Sequence, residues 1–458
     1  MAQSDSNPTI ALALSGGGFR ATLFHLGVIR YLRSTNRLQD IRHIAAVSGG
    51  SILAAHLVAN WYLYTGTFEE FTHASDELLK FTAHDVRGRI IRRLPWLMLR
   101  RLLPKFLPLP RTTTGLLIRE LQTLYDNVNL ADILTLAPTA PRLSLVATNL
   151  TYPGLTAFEN ERVVTYLISG EKPKVWEGTS VPLHLAVACS AAYPAFFPPV
   201  AMSNKDLLAT DDYGIQYHSD GGVIDNQGLQ TLLEDEDADQ LIISDAASAN
   251  IDSQPTARFG ILTTGLRSME LMMAQIRRGH YASISGDTSR SPILIDIEPE
   301  EKDLERNHRG AVCSQLPHIR TDLDAFDAIE RAELVHHGYF SAQGKLGGDN
   351  TDSSFKPPEP SKELPAKVAR HLNSRFNFRL GLVSWKDYVG VVNLLIVLSI
   401  LGFLGSKIPK AITAASDLVA LEKAHELRSK PLGIVPNRRQ INLEPGDAGP
   451  RPMNPGFI

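Results

Sequence analysis

Three short stretches carry side chains that could do chemistry together. Ser15-Gly16-Gly17-Gly18 follows an apolar run, Ser48 stands in Ala46-Val47-Ser48-Gly49-Gly50, and Asp220 heads Asp220-Gly221-Gly222. A serine on a tight turn from a buried strand into a buried helix is a nucleophile elbow, usually written Gly-x-Ser-x-Gly because small residues let the turn close. Ala46 departs from that form but is still small. Ser48 would stand at the N-terminus of the following helix, where backbone N–H groups and the helix dipole favour negative charge. A nucleophilic serine needs a base. Asp220 is followed by two glycines, so its backbone can approach another element closely, although Asp-Gly is also an ordinary turn pair. Asp225 and Asp245 are rival carboxylates without that flank. His218, His336 and His337 leave open a triad in the order Ser…Asp…His.

The triple glycine admits three uses. Gly16-x-Gly18-x-x-Ala21 fits a dinucleotide fingerprint loosely, but that fold wants an acid at the end of its second strand. Here the second apolar run ends in Val47-Ser48-Gly49-Gly50-Ser51. A phosphate-binding P-loop needs Gly-Lys-Ser/Thr after its glycines, and Phe19-Arg20 stands in that place. An oxyanion hole needs fixed N–H donors about 3 Å from the reacting oxygen. Gly16, Gly17 and Gly18 can present such donors with no side chain in the way, and Ser48 supplies the nucleophile that such a hole would serve. A tight glycine turn packed on a neighbouring strand is the purely structural alternative.

These residues need a scaffold. Residues 8–14 and 41–47 read as buried strands, and 20–33 and 50–63 as helices. Strand, turn, helix, twice over, predicts parallel pairing and a layered α/β core. Further strands are predicted at 142–148, 241–244 and 292–297, and helices at 181–190, 260–279 and 321–337. The acidic run 234–239 reads as a solvated helix end. From 343 to 365 the chain is rich in Gly, Ser, Pro and charge, and reads as a linker. A helical region follows over 366–430, then a flexible tail over 431–458.

Composition sets outer bounds. The 458 residues are 43% hydrophobic, with 46 Lys and Arg against 49 Asp and Glu and a net charge of −3. No overall charge bias points to nucleic acid. Two cysteines, Cys189 and Cys313, are too few for a disulfide framework or a Cys-based zinc site. No HExxH motif, paired Cys/His spacing or EF-hand loop is present, so neither a metal nor a cofactor is expected. The polar N-terminus has no signal-peptide pattern, and a cytoplasmic, membrane-associated location is expected.

At its three motif stretches the sequence resembles the patatin-like phospholipases. That family carries a Gly-Gly-Gly-x-Arg loop, matched by Gly16-Gly17-Gly18-Phe19-Arg20; a Gly-x-Ser-x-Gly elbow, matched by 46–50; and Asp-Gly-Gly/Ala, matched by 220–222. The stretches 147–160, 188–200 and 319–339 also resemble the family, so the likeness covers roughly 8–340. It implies a catalytic domain over 1–342, a three-layer α/β/α sandwich with a mostly parallel central sheet. It implies a Ser48–Asp220 dyad rather than a triad, an oxyanion held by Gly17 and Gly18 with help from Gly49, and Arg20 as a brace of the loop or a contact to a head group. It also implies a serine acyl-ester hydrolase of phospholipase A or lysophospholipase type. A hydrolase of neutral lipids or small esters keeps that chemistry, and a catalytically silent module binding lipid or a partner is the alternative of a different class.

Lipid substrates demand an interfacial surface. Residues 85–111, within an insertion at about 80–115, hold seven arginines and one lysine against one aspartate, interleaved with Ile, Leu, Trp and Phe. That mixture suits an anionic membrane surface. The uncharged run 389–405 would span roughly 25 Å as a helix, short of a hydrocarbon core of about 30 Å. Anchoring, insertion, packing or self-association through its small residues are its open uses.

Overall fold

A computed structural model describes residues 8–100, 112–177, 180–194, 196–207, 214–233, 238–247, 260–285, 292–300, 309–348, 352–374 and 387–399, with isolated positions between 402 and 423. The chain divides into units 1–393 and 394–458. The first holds a ten-stranded sheet: β1 (Ile10–Leu14), β2 (Ile41–Val47), β3 (Arg142–Asn149), β4 (Gly154–Glu159), β5 (Arg162–Leu167), β6 (Lys174–Glu177), β7 (Val200–Ser203), β8 (Ile215–Asp220), β9 (Gln240–Asp245) and β10 (Ile293–Asp296). Its order is β10-β9-β1-β2-β3-β4-β5-β6, and β8 also pairs with β3 and carries β7.

The sheet is mixed rather than mostly parallel. β10, β9, β1, β2 and β3 run parallel, whereas β3 to β6 and β7–β8 are antiparallel. The reason lies in the connections. Parallel neighbours need a crossover, which helix-bearing segments supply, while two to four residues between β3, β4 and β5 permit only hairpins.

Alternation along the central strands builds two cores, because successive side chains point to opposite faces. Ile10, Leu12, Leu14, Ile44, Ala46 and Ile242 face one core, packed with α1 (Gly18–Ser34) and α2 (Gly49–Ala59). Ala11, Ala13, Ala45, Leu241 and Ile243 face the other, with Leu229 and Leu232 of helix Leu229–Leu233 and Ile284 of helix Ile261–Ser285. Both faces being covered explains why β1 is apolar throughout. The three layers follow.

Several boundaries differ from the sequence reading. The helix expected over 50–63 breaks at Asn60 and resumes as Trp61–Thr65. The helix expected over 321–337 begins only at Ala328, capped by Asp327 and Glu330, and the residues before it form a charged turn. The stretch 343–365 begins as the end of that helix; its described remainder is mostly exposed but is anchored by Phe355, fully buried against Phe68 and Phe71. Helix Pro365–Asn373 follows.

The basic segment forms helices Val86–Arg92 and Leu94–Arg100. Arg87 pairs with Asp322 and Asp324, Arg89 with Glu120, and Arg92 and Arg93 with Asp387. Its first half therefore meets protein carboxylates. Residues 101–111, most of the acidic run and the tail 431–458 lie outside the described residues. The apolar run is helical over 388–399. Among the described residues no helix is long and apolar enough to cross a membrane.

Candidate active site

Strand register brings the three motifs to one edge. Leu14 of β1 lies opposite Ala46 of β2, so the glycine loop and the elbow leave neighbouring strand ends. Val47 pairs with Val146, and Ala147 pairs with Asp220. β4 fills the other edge of β3 over these residues, so Ser48 and Asp220 follow one another along the same edge of β3. This is the carboxyl end of the parallel strands, where open α/β sheets place their sites.

Ser48 has φ 51° and ψ −116°, a conformation that costs a non-glycine residue of order 1–3 kcal/mol and persists only where its surroundings impose it. The surroundings are identifiable. A β-carbon at Gly49 would overlap the Gly18 carbonyl oxygen, and one at Gly50 would stand 2.5 Å from the Leu14 carbonyl oxygen. The Ser48 N–H donates to Ser190 Oγ at 2.9 Å, and Ser190 in turn donates to the Val146 carbonyl at 2.6 Å. The elbow is therefore tied to β3 through one hydroxyl.

Asp220 is buried. Its Oδ1 accepts from the Gly222 N–H at 2.8 Å, and its buried Oδ2 makes no well-aligned hydrogen bond. Burial pushes the carboxyl up to about 6, while the Gly222 amide and the Ser48 hydroxyl pull it back toward the charged form. The turn can sit this low because Gly221 has no side chain: a β-carbon there would overlap the Val146 carbonyl.

The glycine loop is held from several sides. Gly17 and Gly18 take φ 145° and 56°, which glycine adopts without strain. The Gly16 N–H donates to the Asn226 carbonyl at 2.9 Å, so that amide is committed to the fold and leaves the set of candidate oxyanion donors. Among the described residues the amides of Gly17, Gly18 and Gly49 make no hydrogen bond. They lie at the starts of α1 and α2, neither of which has a side-chain cap. First-turn amides have no partner within their own helix, so these point outward unpaired. Arg20 is buried, and its guanidinium donates to the carbonyls of Pro317, Ile319 (2.8 Å) and Ala246 (2.7 Å). Burial lowers its pKa to about 10. Of its two expected uses, bracing is the one this placement serves.

The rivals are placed elsewhere. Asp225 accepts from the backbone of Gln227, Gly228 and Gln230. Asp245 is paired with Arg277 at 2.8 Å and accepts from Tyr281. His337 bonds the Ile297 carbonyl at 2.7 Å, and His336 stacks on Phe340 of the same helix. His218 contacts Asn149, and burial lowers its pKa to about 3. Sequence reasoning overlooked Ser190 and Asn226. A hydroxyl in the last turn of the buried helix Leu183–Ala191 must find a partner, which was the available signal for Ser190. Among the described residues no group of His, Cys, Asp and Glu could hold a metal ion.

Comparison with known proteins adds a family. No curated protein matches the chain. Among solved structures it is similar to human GIVD cytosolic phospholipase A2 (11% identity, 82% of this chain and 61% of that one, TM-score 0.47). It is also similar to VipD from Legionella pneumophila (15%, 74% and 66%, TM-score 0.32) and to the type III effector protein ExoU (13%, 94% and 67%, TM-score 0.27). The chain thus spans about three fifths of the length of the first of these. The patatin-like phospholipase family model matches residues 12–233, which take in the glycine loop, the elbow and Asp220. Over those residues the chain is similar to the patatin-like phospholipases.

Proposed function

We propose that the chain is a serine acyl-ester hydrolase acting on membrane lipids, of phospholipase A or lysophospholipase type. Ser48 Oγ attacks the ester carbonyl and passes its proton to Asp220. The amides of Gly17, Gly18 and Gly49 hold the tetrahedral oxyanion; one well-placed donor of this kind is worth roughly 3–4 kcal/mol of transition-state stabilisation. Asp220 then gives the proton to the leaving alcohol. A water molecule, deprotonated by Asp220, attacks the acyl–Ser48 ester; the fatty acid leaves as Asp220 returns the proton to Ser48 Oγ. Metal and cofactor have no step in this scheme.

The observation that carries the reading is the placement of Asp220: buried, with Oδ2 unsatisfied, and next to the Ser48 elbow along β3; its carboxyl, pushed up by burial to about 6, suits a base. A base is most useful with a pKa near the working pH. The lipid side rests on the family match and on exposed apolar residues of the 388–399 helix. In the first unit these are Tyr388 and Val392; in the second, Leu395, Ile396, Val397 and Leu398. We place the enzyme at an anionic membrane surface facing the cytoplasm.

The test is turnover of a short-chain nitrophenyl ester, together with mass-spectrometric analysis of products from mixed phospholipid vesicles. Ser48→Ala abolishes both if the reading holds. Equal rates in the variant refute the enzyme and favour a silent lipid-binding module, while turnover of the soluble ester with intact phospholipids points to a neutral-lipid or small-ester hydrolase.

A further inference from the structure

The loop bearing the candidate oxyanion donors is backed by a segment that the reaction itself does not use. A β-carbon at Gly18 would stand 2.6 Å from the Asp322 carbonyl oxygen and 2.8 Å from its nitrogen, so the Asp322 backbone lies directly against the loop. The Phe19 N–H donates to that carbonyl at 3.0 Å. Phe19 itself is wedged edge-on between Phe81 and Phe326, with ring centroids at 5.6 and 6.2 Å. Arg20 donates to Pro317 and Ile319, one turn earlier in the same segment.

The 319–327 segment is charged, and its charges are pinned from outside. Arg87, buried on helix Val86–Arg92, pairs with Asp322 Oδ2 at 2.9 Å and Asp324 Oδ2 at 3.3 Å, and its N–H donates to the Leu323 carbonyl at 3.0 Å. From the other side Arg320 bonds Asp324 at 2.5 Å and Glu330, and lies over the Phe326 ring at 4.2 Å. Without Arg87 the two carboxylates Asp322 and Asp324 share Arg320 alone, at 4.0 and 2.5 Å, and losing one partner of a buried pair is strongly unfavourable, so the turn relaxes from its place. A shift there is transmitted to Gly18 and Phe19 because the contact is backbone on backbone.

We propose that Arg87 and Asp322 are positioning residues for the reaction: their ion pair holds the 319–324 turn against Gly18 and Phe19 and so fixes where the Gly17 and Gly18 amides point. The inference rests on the Ser48–Asp220 hydrolase reading. Misplacing a catalytic group by about 1 Å costs on the order of 100-fold in rate, so a relaxed turn lowers kcat while leaving ground-state binding alone.

The test uses the full chain and a short-chain nitrophenyl ester, with Arg87→Met, Asp322→Asn and the double variant. Asp322→Asn keeps the acceptor that the Asp324 N–H uses at 2.7 Å and removes only the charge. Each single variant should lose about 10- to 100-fold in kcat, with KM within about twofold. The double variant should be no slower than the slower single, because both remove one link. The acid limb of the pH profile should stay in place, since Asp220 keeps its surroundings, and Arg87→Lys should recover part of the rate. Should Arg87→Met fail to fold, Asp322→Asn and Arg87→Lys carry the same comparison. A folded variant with native kcat, a loss confined to KM, or additive losses in the double variant overturns the proposal. An unsubstituted protein without esterase turnover overturns both this proposal and the reading beneath it.

Discussion

If Asp220 is the base, its titration should appear twice, in the rate and in the stability. Burial moves the carboxyl from 3.8 to about 6. The base must be ionised to take the Ser48 proton, so kcat/KM should rise with pH through a limb centred near 6 and level off above it, leaving about a tenth of the plateau at pH 5. The stability effect has the opposite sense to that of most carboxylates. Between 3.8 and about 6 the native state holds the proton and the unfolded state has lost it, so stability falls as pH rises through that window. Above it the native state carries a penalty of about 3 kcal/mol, from 1.36 kcal/mol per pH unit over about two units. Asp220→Asn removes the charge and keeps an acceptor for the Gly222 N–H. It should therefore be inactive, yet more stable than the native protein by up to about 3 kcal/mol at pH 8, with the gain gone near pH 4. Urea unfolding at the two pH values and an ester-hydrolysis profile from pH 4.5 to 8.5 measure both. A limb centred below 4.5, residual turnover in Asp220→Asn, or a variant no more stable than native at pH 8 would refute the reasoning.

Two substitutions probe the donors and the elbow. Gly18→Ala forces a side chain into a φ of 56° and against the Asp322 carbonyl; it should cost about 1–3 kcal/mol of stability and about 100-fold or more in kcat, measured by denaturant unfolding and ester turnover. Ser190→Ala strips the acceptor from the Ser48 N–H and the donor from the Val146 carbonyl; stability should fall by about 1–3 kcal/mol, and steady-state kinetics should show a lower kcat at unchanged KM.

What could be read from the sequence was whatever local pattern dictates. β2 was legible residue for residue because Ile41 and the run Ile44–Val47 are apolar between turns, and the elbow and Asp220 were legible because small residues mark close backbone approach. The antiparallel half of the sheet was not: β4 and β5 are six residues each, and β6, β7 and β8 are shorter or partly exposed, so their patterns carry little periodicity. The basic segment shows a different limit. Composition records that Arg87 and Arg92 are charged, but not that Asp322 and Asp387, more than two hundred residues away, meet them. The same distance in sequence hid the support of Gly18 by Asp322, and the Gly16 amide looked free until Asn226 was placed beside it.

Several departures from local rules meet at the site, although single ones occur elsewhere, as in the uncapped helices Leu183–Ala191 and Pro365–Asn373 and the positive φ of Asn36 and Asp126. Helix Phe68–Thr82 begins with a complete capping box of Thr67 and Glu70, and helix Ala328–Leu346 with one of Asp327 and Glu330. α1 and α2, the two helices that start at the site, have no side-chain cap. A cap is worth about 1 kcal/mol, so leaving two ends open has a cost, as does Ser48 at positive φ and a carboxyl buried with one oxygen poorly satisfied. Each departure alone would be a defect. All of them converge on the few ångströms around the ends of β1, β2 and β8. Together they supply unpaired donors, a half-buried hydroxyl and a base of raised pKa, and departures from local consistency gather in this way where function requires them.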